Sequence, residues 1–327
     1  MQHEPQIPRM AHFIWSGERL PWVYALAVRA ALARGGFERV ILHHSENLAS
    51  DGELRALRSR PGFVPRAIDE RAILAATGPY AARLREIFAV LSAPSARANV
   101  LRAALLYAEG GVYLDTDAIT LTSLRDLCER GGAFVGLEHV AFPASVMQSR
   151  RPERWAAALL RTGVRDLLRR LPEGHRTFQR VSHLYPLAVN NAVLASAPRH
   201  AFISDLLAQM VALPPSRWRV RFALGTHLLQ QVVASYRGAG LHVERPELFY
   251  PLGPEISEHW FRVRRASELA SVLTPRTRVV HWYASVRSQR LAARMDARYV
   301  EARVGRQLFS DLVAPLCRGQ LERAAAE

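Results

Sequence analysis

The sequence predicts an α/β fold with a mainly parallel central sheet. Short β-branched or aromatic runs alternate with Ala- and Leu-rich helical stretches through the first half of the chain, and such alternation builds parallel sheets. A helix also ends at Gly110-Gly111 with a strand beginning at once, because glycine takes the left-handed turn beyond a helix without strain. At 327 residues the chain can bury a substantial core, as one large domain or two smaller units.

Residues 10–15 (MAHFIW) form the first strand by composition, and Gly17 and Pro21 punctuate the loop after it. Residues 22–33 are helical and end at Gly35-Gly36, and residues 39–44 (RVILHH) are a second strand. His43 and His44 suggest a metal pair, but neighbours on a strand face opposite ways, so both are read as structural. A short helix near residues 53–60, a strand at 63–68 and a helix at 80–91 come next.

Pro94 and Ser95 introduce a helix over residues 95–109, where Val100, Leu101, Ala104, Leu105 and Ala108 share an apolar face. Asn99 and Arg102, three apart, share another. Val112-Tyr113-Leu114 is then a short buried strand, and alternation puts Tyr113, Asp115 and Asp117 on one side. Residues 119–124 lead to a short helix at 124–130 and a strand at 133–138 (AFVGLE). Glu138 and His139 could approach a substrate, and loop polarity explains them equally well.

Residues 150–183 differ in character. Trp155, Leu159, Leu160, Val164, Leu167, Leu168 and Leu171 make an apolar stripe among arginines. Such a helix either lies on an anionic membrane surface or is an ordinary helix with one solvated face. Residues 296–327 read as a helical tail with Tyr299, Val300, Val304, Leu308, Leu312 and Leu316 as its packing face.

Composition sets further bounds. All 44 basic residues are arginine, and the net charge is +15. The absence of lysine indicates compositional bias, yet the charge still favours anionic partners such as nucleotide-sugar diphosphates, acidic glycans, anionic lipid surfaces or, nonspecifically, nucleic acid. A specific nucleic-acid binder is not indicated, for there is no cysteine/histidine zinc pattern, aromatic RNA-binding motif or confined basic tail. Two cysteines, Cys128 and Cys317, are too few for a disulfide framework. With no hydrophobic signal core in residues 1–10 and no apolar run of membrane-spanning length, the expected location is cytoplasmic, with peripheral contact at a membrane face left open.

The chemistry is expected at Asp115 and Asp117. Two carboxylates on one side of a strand end repel, and one pKa rises unless a cation stands between or beside them. A hard divalent ion, Mn²⁺ or Mg²⁺, suits such oxygen donors, and the open strand ends of an α/β sheet are where ligands bind. A bare D-x-D tripeptide is otherwise a pair of solvated turn residues.

The surrounding residues add to this. Asn99-x-x-Arg102, Leu106-Tyr107, Gly110-Gly111 and Tyr113-Leu114-Asp115-x-Asp117 closely resemble the sugar-nucleotide segment of retaining glycosyltransferases of the D-x-D group. This is glycosyltransferase family 32, which includes yeast-type initiating mannosyltransferases and has clostridial glucosylating toxins as relatives. Ile7-Pro8, His12-Phe13-Ile14-Trp15 and Gly17 are similar to the family's opening, and Asn190-Asn191 and Ala197-Pro198-Arg199-His200 to a later strand and turn. Gly225-Thr226 occupies the place of a Thr-Gly-Pro segment in a different order. Residues 279–285 resemble the closing His and Ser-Trp, with Val286 where the tryptophan would be. Within the strongest motif, Ala98-Asn99 replaces the usual Ser-Asp.

The resemblance implies a GT-A-like fold with a helical insertion. It implies residues 1–149 as the nucleotide-sugar half, 150–185 as an Arg-rich helical insertion, 186–295 as the acceptor-side half and 296–327 as a C-terminal helix. The implied reaction is metal-dependent transfer of a hexose from a nucleotide sugar, UDP-linked, to a glycan, lipid-linked, small-molecule or protein acceptor, with retention. Asp115, Asp117 and Arg102 are the implied catalytic residues. Trp15, Asn99, Arg102, Tyr113 and Asp115 would bind the donor, and Asp115, Asp117 and His281 the metal. From residue type alone Trp15 is equally a core tryptophan, and His281 a buried strand histidine. An inactive sugar-nucleotide-binding module is the alternative that the departures at Asn99 and Val286 keep open.

Overall fold

The computed structural model describes residues 4–147, 149–284 and 289–324. Its strands are β1 (Met10–Trp15), β2 (Arg39–His44), β3 (Phe63–Ala67), β4 (Gly111–Leu114), β5 (Ala118–Thr120), β6 (Ala133–His139), β7 (Leu187–Ser196), β8 (Leu241–Glu244) and β9 (Val279–His281). Seven of them form one sheet in the order β3-β2-β1-β4-β7-β6-β8. Only β7 runs against its neighbours, and the other adjacent pairs are parallel. The mainly parallel α/β fold is therefore as expected.

Strand alternation divides the core between the two faces of this sheet. Ala11, Phe13, Val112 and Leu114 pack into one cluster with the helix Trp22–Arg34, while Tyr113 and Val135 pack into the other with the helix Pro94–Ala108. The chain leaves β1 toward β2 and β3 on one side and toward β4 on the other, so the sheet order reverses between β1 and β4. Ligands of open α/β sheets bind outside the strand C-termini at such a reversal. Trp15 ends β1 there, and Asp115 directly follows β4.

The helix before β4 begins with Pro94 in its first turn, where a missing N–H costs nothing. It ends against Gly110 and Gly111, whose φ angles are +67° and +96°. Both positions are crowded as well as left-handed: a Cβ on Gly110 would lie 2.8 Å from the Ser196 carbonyl oxygen, and one on Gly111 would lie 2.7 Å from that of Met10. The pair therefore brings the helix and β4 together within a space that excludes a side chain.

Three local expectations change. His139 ends β6 opposite Leu187 and is not a loop residue, while Glu138 pairs with Ala188 inside the expected strand. The C-terminal tail is two helices, Ala297–Glu301 and Leu308–Ala324, and Val304 between them is exposed. Between β6 and β7 the arginine-rich stretch forms the helices Pro152–Arg170 and Gly174–Val181, but the first has its apolar stripe turned outward. Among the described residues, no helix is long and apolar enough to cross a membrane.

Candidate active site

The site is built where β4, β7 and a small second sheet meet. The strand β5 follows Asp117 at once and pairs antiparallel with β9, with Ala118 opposite His281. That register carries a histidine from 164 residues away to the second aspartate: His281 Nε2 lies 3.0 Å from Asp117 Oδ1. The other carboxylate oxygen, Oδ2, accepts the Ala284 N–H at 2.7 Å. The backbone carbonyl of Asp117 accepts from Trp282 N at 3.1 Å.

Asp115 is held separately. Its Oδ1 accepts from Arg102 Nη2 at 3.1 Å and from the Tyr113 hydroxyl at 2.9 Å, while its N–H donates to the Ala192 carbonyl at 2.8 Å. The Arg102 guanidinium carbon lies 4.2 Å from the Tyr113 ring centre, and Nη1 donates to the Asn191 carbonyl. Arg102 is buried and holds Asp115 through its Nη2 bond. Burial keeps the Tyr113 phenol protonated as a donor, raising its pKa well beyond the ordinary value despite the nearby guanidinium.

Electrostatics at Asp117 and His281 are reciprocal. Burial alone would raise Asp117, but the charge and hydrogen bond of His281, joined by the Ala284 N–H, hold the carboxyl below its usual range. Burial likewise opposes a charge on His281, and Asp117 more than offsets this and raises it. One ligating atom from each of Asp115, Asp117 and His281 lies within 4.8 Å of the other two. Adjacent ligands of an octahedral ion with bonds of about 2.1 Å are about 3 Å apart, and the His281–Asp117 spacing is 3.0 Å. The two hard carboxylates and the imidazole are a donor set that Mn²⁺ or Mg²⁺ fits.

Asn99 sits one turn before Arg102 and accepts from Asn191 Nδ2 at 2.9 Å. Gly225 closes over both amides, and a Cβ there would come within 2.6 Å of Asn99 Nδ2. Asn99, Arg102, Asn191 and Gly225, together with Leu194, Leu206 and Met210, line a small cleft.

Trp15 is half-buried. Its indole N–H donates to the Arg19 carbonyl at 2.8 Å, and its ring lies 4.7 Å from that of Tyr24, which in turn stacks at 5.9 Å on Trp282 beside His281. These rings link the end of β1 to the carboxylates. His43, read as structural, is buried with its Nε2 3.0 Å from His12 Nδ1, and His12 Nε2 lies 3.0 Å from the Gly110 carbonyl.

One group is underweighted by the sequence. Glu138 is buried at the end of β6 and accepts from Asn190 Nδ2 and from the Tyr283 hydroxyl, both at 2.6 Å. The Tyr283 ring lies 4.1 Å from that of His281. Burial raises the Glu138 pKa even though both donors favour the anion. A signal exists in the asparagine strand and the closing His-Trp-Tyr, but nothing local ties either to Glu138. Ser285 and Val286 lie outside the described residues.

Residues 37–131 match the family described as glycosyltransferase sugar-binding region containing DXD motif. The segment holds Asn99, Arg102, Tyr113, Asp115 and Asp117, while Trp15 and His281 fall outside it. No curated protein matches the chain by sequence. Among solved structures the chain is similar to the PaToxG glycosyltransferase at 15% identity, covering 70% of this chain and 69% of that one with a TM-score of 0.44. It is also similar to mouse xyloside xylosyltransferase 1 in its apo form, at 13% identity, 83% and 96% coverage and a TM-score of 0.48. The ligand-free glycosyltransferase domain from the YGT toxin gives 10% identity, 74% and 81% coverage and a TM-score of 0.42.

Proposed function

We propose that the chain is an active, metal-dependent glycosyltransferase that moves a hexose from a nucleotide sugar, UDP-linked, with retention at the anomeric carbon. The observation that carries this reading is the convergence of Asp115, Asp117 and His281 beside a strand-order reversal, inside or next to the segment that matches the D-x-D family. A divalent ion held by these three would offset the diphosphate charge as the leaving group departs.

The chain's own residues supply the positioning. Arg102 and the Tyr113 hydroxyl fix Asp115 through Oδ1, leaving Oδ2 for a ligand. His281 and the Ala284 N–H fix Asp117. Trp15 offers a ring at the end of β1 on which the base stacks, backed by Tyr24. Asn99 and Asn191, joined by a hydrogen bond at 2.9 Å beside Arg102, would read the donor sugar. Transfer at the front face, assisted by the leaving diphosphate, needs no protein nucleophile.

The test is release of free nucleotide from a panel of nucleotide sugars, with Mn²⁺, with Mg²⁺ and with chelator. Metal-dependent release from at least one UDP-sugar is expected. Nucleotide sugar that binds but is neither hydrolysed nor transferred, with either ion, would instead mark an inactive binding module.

A further inference from the structure

The helix Pro152–Arg170 is amphipathic in the reverse of the usual sense. Its protein-facing side carries Arg165 and Arg169 with Ala158 and Leu168. Arg165 Nη1 pairs with Glu255 Oε2 at 2.9 Å, and Arg169 Nε donates to the Glu255 carbonyl at 2.6 Å. Glu255 is itself buried, and its Oε1 accepts the Ala141 N–H at 2.7 Å. Arg161 Nε donates to the Leu184 carbonyl, and Arg262 donates to the carbonyls of the helix C-terminus. The helix is thus anchored by its charges.

Its leucines remain outside. Trp155, Leu159, Leu160, Val164, Leu167 and Leu171 are all exposed, with Leu159 at 61% and Leu160 at 70%. Leu184, brought alongside by Arg161, adds 60% of its own surface. Scattered exposed leucines are ordinary, but a continuous apolar ridge along a helix of about 28 Å marks a surface meant to be covered.

Charge identifies the cover. Residues 150–184 contain nine arginines against three carboxylates, Glu153, Asp166 and Glu173. Asp166 is already paired with Arg165 and Arg169, and Glu173 with Arg176 and Arg264. Arg150, Arg151, Arg154, Arg170 and Arg180 are exposed around the ridge. A second copy placed on this face would oppose like charges. Side chains that stand out this far form a ridge and not a groove for a peptide, and a fluid acyl layer adapts to a ridge.

We propose that this face seats the protein on an anionic lipid bilayer, with the leucines and Trp155 in the acyl boundary and the surrounding arginines on the headgroups. The inference stands apart from the sugar-transfer reading, since none of these residues belongs to the carboxylate site.

Co-sedimentation with vesicles of 70:30 phosphatidylcholine:phosphatidylserine, and with phosphatidylcholine alone, tests it at about 150 mM salt. The wild type should bind the anionic vesicles more strongly. The triple variant Leu159→Ser, Leu160→Ser, Leu167→Ser should lose about ten-fold or more in partitioning, and Arg150→Gln, Arg151→Gln, Arg154→Gln about ten-fold. Brominated acyl chains should quench wild-type tryptophan fluorescence, and Trp155→Phe should remove that quenching. This last readout does not depend on the leucine variant folding. Absence of vesicle binding, equal binding to both vesicles, or binding unchanged by the leucine substitutions overturns the proposal. So does a wild-type dimer in sedimentation that the leucine variant converts to monomer.

Discussion

Asp117→Asn separates the chemistry of the second aspartate from its part in the fold. The side chain is 12% exposed and has two jobs at once: Oδ2 accepts the Ala284 N–H and Oδ1 meets His281. Alanine would remove both hydrogen bonds, at about 1–3 kcal/mol each, so a dead Asp117→Ala enzyme would not by itself separate lost chemistry from a damaged fold. Asparagine keeps an oxygen for Ala284 and can donate to a neutral His281, so its folding cost is about 1–2 kcal/mol. What it removes is one of two anionic ligands. Disturbing an outer-shell partner of a metal already costs about 10–100-fold in affinity, so losing a ligand should cost about 100-fold or more. Mn²⁺ titration by calorimetry, a thermal melt and nucleotide release together give the answer. A folded Asp117→Asn protein with wild-type Mn²⁺ affinity and turnover refutes the metal site. Equal loss of fold and activity assigns Asp117 to the structure alone.

The same geometry sets three further outcomes. Trp15→Ala should weaken nucleotide binding about ten-fold, as stacking on an aromatic face is worth roughly 1–3 kcal/mol per base; an unchanged dissociation constant returns Trp15 to its packing with Tyr24. Asn99→Asp keeps an oxygen for Asn191 and should alter the ranking of nucleotide sugars more than nucleotide affinity, so identical rankings over one donor panel exclude Asn99 from reading the sugar. Stability should fall as pH drops from about 6.5 toward 4, measured as the denaturant midpoint. Burial lowers His12 from 6.5 to about 4, and His43 is also lowered, so below 6.5 the unfolded chain binds the extra protons. His175 and His259, lowered by burial to about 4 and about 3, act in the same sense, whereas His281, raised by Asp117, changes stability above 6.5, so the discriminating control is His12→Gln, His43→Gln, whose pH slope should be flatter. A slope unchanged by that double variant rules the pair out.

How much of the fold and site is legible depends on whether the signal is local. The Asn99 to Asp117 stretch is readable because a helix, two glycines and a strand specify one another within a few residues, and alternation then fixes Tyr113, Asp115 and Asp117. The partner of Asp117 is not readable from spacing, since a register between Ala118 and His281 is a long-range pairing that only the resemblance suggests. Glu138 reads as the polar end of a strand, where a carboxylate is usually solvated, and its two donors, Asn190 and Tyr283, come from other strands and turns. The Pro152–Arg170 helix shows the limit most plainly. Its periodicity reveals two faces but not which one meets water, and Glu255, 86 residues beyond Arg169, decides the matter.

The same contacts bear on what a metal is needed for. Two aspartates one residue apart are expected to raise a pKa unless a cation stands beside them. The chain itself supplies partners, the Arg102 guanidinium at Asp115 and the His281 imidazole at Asp117, and the imidazole and the Ala284 N–H hold Asp117 below its usual range. Each carboxylate is therefore partnered within the chain, and folding is expected not to depend on a divalent ion at this site. A ligand that binds only the native state stabilises by RT ln(1 + [L]/Kd), about 2.7 kcal/mol at one hundred times Kd. Chelator should thus leave the melting temperature unchanged in the absence of nucleotide, whereas Mn²⁺ with UDP should raise it by more than either alone. A melting temperature that drops by several degrees on chelation, with no nucleotide present, would show that Arg102 and His281 do not suffice and that the ion is part of the fold.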